Sequence, residues 1–243
     1  MRLMVWYLGH SGFAVKAGDH LLVFDYYLTT PEPPRQGLEG GVIDAETLGK
    51  FKTVTVFASH AHPDHFTPEI LKWADGHPNI RTVLSHDIRH KAPNAIVAHP
   101  EKTYDLGDMT VQTLPSTDEG VAFIVTLGDA RLYHAGDLNW WHWEGEPEED
   151  NRAQERDYTA QMAKIRGTRF DAAFVPVDPR LEKEALWGIN AFMAAAEAKN
   201  VFPMHFWDDY SIFDRIDTDP AAQPYRDRVR RITRRGQRFE LEA

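Results

Sequence analysis

The chain has 243 residues, 42% of them hydrophobic and 12% aromatic, enough to fill a sizeable core in a single domain over 1–243. It has no cysteine, so disulfides and thiolate metal sites are excluded and any metal must sit on nitrogen and oxygen donors. The formal net charge of −10 argues against nucleic acid, which calls for a basic footprint, and no apolar run reaches the ~18 residues of a membrane span. Met1–Leu8 is too short for the apolar core of a secretory leader, so a cytoplasmic location is expected.

Strand patterns dominate the first half. Met4–Leu8 and Phe13–Lys16 alternate or are apolar; Gly18-Asp19 turns the chain, and Leu21–Phe24 returns to stop at Asp25. A proline- and glycine-rich loop follows within 26–44. Val54–Phe57 is the next strand, and a helix is expected over Thr67–Ala74. Gly107-Asp108 leads into Met109–Leu114, and Ala122–Leu127, Gly128-Asp129 and Arg131–His134 form a further hairpin running on to Asp137. Residues 138–150 form a second irregular, acidic loop. Glu149–Arg166 has helical composition, Asp171–Val177 is a buried strand, and Leu186, Ile189, Met193 and Ala196 recur at helical spacing. Val201–Met204 is a short strand. The arginines between Arg226 and Arg235 are expected on a solvated helix face. Strands interleaved with helices predict a layered α/β architecture.

The stretch Ala58-Ser-His-Ala-His-Pro-Asp-His-Phe66, which holds His60, His62, Asp64 and His65, follows the Val54–Phe57 strand directly. Imidazole nitrogen and carboxylate oxygen are the donors that hold Zn, Mn or Fe without sulfur. His60 and His62, two apart on an extended strand end, point the same way. Pro63 turns the chain, so that Asp64 and His65 aim at a second point nearby. One or two divalent metal ions are expected here, and two adjacent ions can generate hydroxide near neutral pH.

This motif resembles the H-x-H-x-D-H signature of the metallo-β-lactamase superfamily. Val23-Phe-Asp25 precedes it, and Asp137 and His205 follow in the superfamily's order. Leu8-Gly-His10-Ser-Gly-Phe13 is similar to the branch of UPF0173-type hydrolases and ascorbate-6-phosphate lactonases. The resemblance implies a four-layer αβ/βα sandwich. It implies His60 and His62 on a first metal, Asp64, His65 and His205 on a second, Asp137 bridging, and Asp25 orienting the histidine cluster. One departure stands out. The superfamily places a further histidine before the bridging aspartate, and Leu114–Gly120 holds none; Asp118 is the best positional substitute and Glu119 the next. A carboxylate there favours Mn or Fe over Zn; with none, the first site would be degenerate.

The expected activity is hydrolysis of a small-molecule ester, lactone or phosphoester by a metal-held hydroxide, with Asp64 orienting the nucleophile. Alternatives are a nuclease or phosphodiesterase of the same superfamily, and a non-catalytic metal- or ligand-binding protein. His142, inside Trp140-Trp-His-Trp143, is a candidate for substrate contact, with the tryptophans either a ring-stacking wall or a latch. His10 either lines the pocket or is structural. His134 is expected buried and hydrogen-bonded, and His20, His77, His86, His90 and His99 are expected to be ordinary. Phe206, Trp207, Asp208 and Tyr210 are expected at the pocket rim. Arg35, Lys91 and Arg180 are candidates for a phosphate group. The expected partner is a small-molecule substrate, with neither nucleic acid nor membrane; the oligomeric state is not legible.

Overall fold

The computed structural model describes residues 1–75, 77–89 and 95–242; His90 and Lys91 lie outside them. The described chain divides into two compact units, residues 1–99 with 232–243 and residues 100–231.

The first unit is built on a seven-stranded sheet. Strands β1 (Arg2–Gly9), β2 (Gly12–Ala17) and β3 (His20–Phe24) form an antiparallel meander. Next to β3, strands β4 (Thr53–Ala58), β5 (Ile80–Ser85) and β6 (Ile96–Ala98) run parallel. A C-terminal strand, Arg238–Glu242, pairs antiparallel with β1. Helices α1 (Ala45–Gly49) and α2 (Glu69–Trp73) lie in the connections. Leu21 and Val23 of β3 with Val54 and Val56 of β4 pack with Tyr26, Ile70 and Trp73 on one face. On the other face Phe24 and Phe57 stack, with ring centroids 4.7 Å apart. Period-two alternation thus buries both faces of the β3–β4 pair and fixes where β4 ends.

The second unit has a six-stranded sheet. Strands β7 (Thr103–Asp105), β8 (Thr110–Pro115), β9 (Val121–Leu127) and β10 (Ala130–His134) form an antiparallel run. A short pair, β11 (Arg169–Phe170) with β13 (Glu197–Ala198), flanks it in sequence. Beyond β10, strands β12 (Ala172–Pro176) and β14 (Val201–Met204) are parallel to it and in register. Helix α3 (Glu148–Lys164) buries Asn151, Tyr158 and Met162, and the Tyr158 hydroxyl donates to the Gly188 carbonyl (2.8 Å) in α4 (Trp187–Ala195). Phe192 of α4 stacks on Tyr133 of β10 at 4.9 Å. Helix α5 (Ile212–Thr218) completes the unit.

Two expectations are corrected. The arginine-rich segment is not a helix face; apart from one 3₁₀ turn at Arg226–Arg228 it is irregular, and its guanidinium groups are committed. Arg235 donates to the carbonyls of Leu8 (2.6 Å), Leu28 (3.0 Å), Thr30 (2.8 Å) and Gly41 (2.7 Å), which fastens the 26–44 loop to the first unit. Arg231 pairs with Asp214 and Asp217. Phe206, expected at a pocket rim, is fully buried against Phe213 and Tyr210.

Candidate metal centre

In the first unit the histidine cluster begins at His60, two residues past the end of β4, and Asp25 sits one residue past β3. Because β3 and β4 are parallel and in register, the carboxylate and the cluster emerge at one sheet edge. Asp25 is wholly buried, with a φ of 44°, a left-handed backbone that a non-glycine residue adopts at a cost. Its Oδ1 accepts the Ser59 amide and its Oδ2 the Ser59 hydroxyl, both at 2.7 Å. The same Oδ2 is 2.8 Å from His65 Nδ1.

These contacts fix the tautomers. A carboxylate only accepts, so His65 carries its proton on Nδ1 and presents a lone pair on Nε2. The Ser59 hydroxyl hydrogen is spent on Asp25, so His60 Nδ1, 2.9 Å from Ser59 Oγ, is the donor there. His60 Nε2 then also presents a lone pair, 3.1 Å from His62 Nδ1. Two nitrogens on one tetrahedral zinc, each at ~2.0–2.1 Å, stand about 3.3 Å apart. The pair therefore fits a shared cation.

His10, buried with a φ of 51°, places Nε2 3.3 Å from Asp64 Oδ2. His10, Asp64 and His65 offer ligand atoms within 4.8 Å of one another. Burial pushes the Asp64 carboxyl up, but the His10 hydrogen bond and the charges of His65 and His10 outweigh it and hold it well below the usual carboxylate range.

In the second unit Asp137, Asp178 and His205 follow β10, β12 and β14. The three strands are parallel neighbours, so their C-terminal ends deliver all three side chains to one edge. His205 Nδ1 is 2.9 Å from Asp178 Oδ2, and its Nε2 is 3.5 Å from Asp137 Oδ1. Burial lowers the affinity of His205 for a proton, but Asp137 and Asp178 reverse this and raise its pKa to about 10. Desolvation raises Asp178, yet the His205 and Arg180 hydrogen bonds bring it down to about 2.

Arg180 forks onto the Asp178 carboxylate (2.6 and 3.0 Å) and lies over the Trp207 ring at 4.7 Å. It is therefore engaged with Asp178, as Arg35 is with Glu32 (2.9 Å). Asp178 went unnoticed in the sequence. Asp137 stands out by the hairpin that runs on to it and by the resemblance, whereas Asp178, two residues beyond β12, carries neither signal.

Asp118 is exposed on the turn between β8 and β9. Thr117 beside it pins that turn to the segment after Asp137: its Oγ1 donates to the Asn139 carbonyl (2.6 Å) and accepts the Asn139 amide (3.0 Å). As a result Asp118 and Asp137 carry carboxylate oxygens within 4.8 Å of each other. Glu119, the second substitute, does not join them.

The tryptophan loop divides its roles. Trp141 is the latch: it is buried and donates its indole N–H to the Asp137 carbonyl (2.9 Å). Trp140 and His142 instead line a cavity of about 460 Å³ whose walls include neither Asp118, Asp137 nor His205. His142, expected as a catalytic contact, thus faces that cavity. His134 is fully buried and accepts the Gly136 amide (3.2 Å), as expected.

Residues 4–150 match the family model described as the beta-lactamase superfamily domain. The chain belongs to that superfamily. A UPF0173 metal-dependent hydrolase of Alkaliphilus metalliredigens is 24% identical over 239 residues, 90% of this chain and 91% of that one. A metallo hydrolase of the archaeon Ignicoccus hospitalis superposes with a TM-score of 0.66 at 18% identity, over 100% of both chains. CmlA, a diiron β-hydroxylase of Streptomyces venezuelae, superposes with a TM-score of 0.63 at 12% identity, covering 99% of this chain and 54% of its own. At these identities the structural likenesses show the fold, and it is the α/β metallo-β-lactamase fold that the histidine motif implied. Among the described residues no helix is long and apolar enough to cross a membrane.

Proposed function

We propose that the protein is a metal-dependent hydrolase of small-molecule esters, lactones or phosphoesters. The observation that carries this reading is a device present once in each unit. A buried carboxylate, Asp25 in one and Asp178 in the other, holds the Nδ1 of a strand-end histidine at 2.8 and 2.9 Å and leaves its Nε2 as the nitrogen that a cation would take in place of a proton. Histidines that bind metals are oriented in this way.

The superfamily's ligand order, carried onto this chain residue by residue, gives His60, His62 and Asp118 to one divalent ion and Asp64, His65 and His205 to a second, with Asp137 shared. The cation supplies Lewis acidity toward a carbonyl or phosphoryl oxygen and lowers the pKa of a coordinated water. The chain's own residues do the rest. Asp25 and Ser59 lock the imidazole tautomers, His10 fixes the Asp64 carboxylate, and ionised Asp64 would accept a hydrogen bond from the attacking water and orient it. Trp141 ties down the segment that carries Asp137. The carboxylates at Asp64, Asp118 and Asp137 favour manganese or iron over zinc.

The test is metal content per chain after reconstitution with Mn, Fe or Zn, paired with turnover of lactone, ester and bis-p-nitrophenyl phosphate substrates. Metal-dependent turnover that His62→Ala and Asp137→Ala abolish, with circular dichroism unchanged, supports the proposal. Full turnover by His62→Ala defeats it. Preference for the phosphodiester would move the reading to the phosphodiesterase branch.

A further inference from the structure

We infer that the second unit carries a binding site for an organic ammonium group in the cavity bounded by α3, α4 and the tryptophan loop. The cavity holds about 460 Å³, room for a small molecule. Helical spacing builds two of its walls. Glu148, Arg152 and Glu155 stand at i, i+4 and i+7 along α3, and Trp187, Asn190 and Ala191 at i, i+3 and i+4 along α4. The loop adds Trp140 and His142.

The aromatic groups form a corner. The Trp140 and Trp187 rings are 5.2 Å apart and inclined at 62°, and His142 leans on Trp187 at 4.9 Å and 59°. Rings inclined in this way put indole and imidazole surface on adjoining walls of the cavity. Trp187 is 37% exposed, an unusual display of indole surface for a residue with no solvent-side role.

The polar groups narrow the ligand's charge. Asn151 spends both ends of its amide on the Trp143 backbone, each at 2.9 Å. Asn190 is spent on Asp219 and on the Tyr225 hydroxyl. Arg152 is paired with Glu148 at 3.1 Å, so those two charges offset. Glu155 is left as the lining charge with no ion-pair partner among the described residues, and it is negative. π faces and one unpaired carboxylate both attract a cation, and a tetraalkylammonium head meets the aromatic faces without demanding hydrogen bonds that the spent amides cannot make.

The inference does not depend on the hydrolase reading, and neither does its test. Choline and its neutral isostere 3,3-dimethylbutan-1-ol are titrated into the metal-free and the metal-loaded protein by calorimetry. Choline is expected to bind at least about tenfold tighter than the isostere in both forms. Trp187→Ala should remove about tenfold of the choline affinity, and Glu155→Gln should remove about threefold of it while leaving the isostere's affinity unchanged. Both side chains are at the surface, so neither variant endangers the fold. Equal affinity for choline and the isostere, or choline binding that Trp187→Ala leaves intact, would overturn the assignment.

Discussion

His205 and Asp178 are joined through Nδ1 and Oδ2 at 2.9 Å, and the contact exists because β12 and β14 lie side by side and parallel. The carboxylate fixes which ring nitrogen carries the proton and raises the basicity of the other. Asp178→Asn keeps the volume and the fork to Arg180 in part but loses the charge. Metal affinity should fall about 10–100-fold, read by chelator competition, with the thermal midpoint of the metal-free protein shifting little by comparison. Unchanged affinity would mean that the carboxylate serves Arg180 alone.

The counterpart in the first unit is Asp25, which is more deeply committed. It accepts from the Ser59 amide, the Ser59 hydroxyl and His65 while wholly buried. Asparagine tolerates the left-handed backbone at this position, so Asp25→Asn isolates the charge from the φ of 44°. The new amide donors face groups that already donate, and breaking a buried charged network costs ~3–5 kcal/mol. Urea unfolding should show a loss of that order together with lost metal binding. A stable Asp25→Asn protein of native metal affinity would refute the orienting role.

Much of this was legible from the chain alone. Alternation marked most of the strands, and the end of β4 located the histidine cluster, because period-two burial leaves little freedom of register. The C-terminal strand was not legible. Its Phe239 and Leu241 alternate with charged Arg238, Glu240 and Glu242, and two apolar side chains are too few to stand out. Nor was the commitment of Arg235 to four backbone carbonyls, since its partners lie about two hundred positions away in sequence. Asp178 was missed for a similar reason: its role depends on the order of β10, β12 and β14 in the sheet, which no local pattern encodes.

Asp118 is the residue we propose in place of the superfamily's histidine, and Thr117 holds its turn to the segment after Asp137. Because Asp118 is exposed, its replacement should leave stability within about 0.5 kcal/mol. Asp118→Ala is expected to reduce two bound ions to one by elemental analysis. Asp118→His should restore the second and shift preference from manganese or iron toward zinc. Two ions retained by Asp118→Ala would remove this residue from the ligand set.

Asp44 gives a prediction away from the metal. It caps α1, its Oδ1 accepting the Thr47 amide at 2.7 Å. Desolvation raises its pKa, but the hydrogen bonds from Thr47 outweigh that and the net shift is downward from 3.8. A carboxylate with a depressed folded pKa contributes stability that is present above its unfolded value and lost as pH falls through its folded one. Asp44→Ala should therefore cost about 1 kcal/mol at neutral pH, the usual worth of such a cap. The gap between the two proteins in urea unfolding should narrow as the pH drops below 3.8 and persist unchanged from there to neutrality. Asp44→Asn, which caps without a charge, should lose the acid-side narrowing while keeping most of the stability; if it narrows as the wild type does, the titrating group is another one.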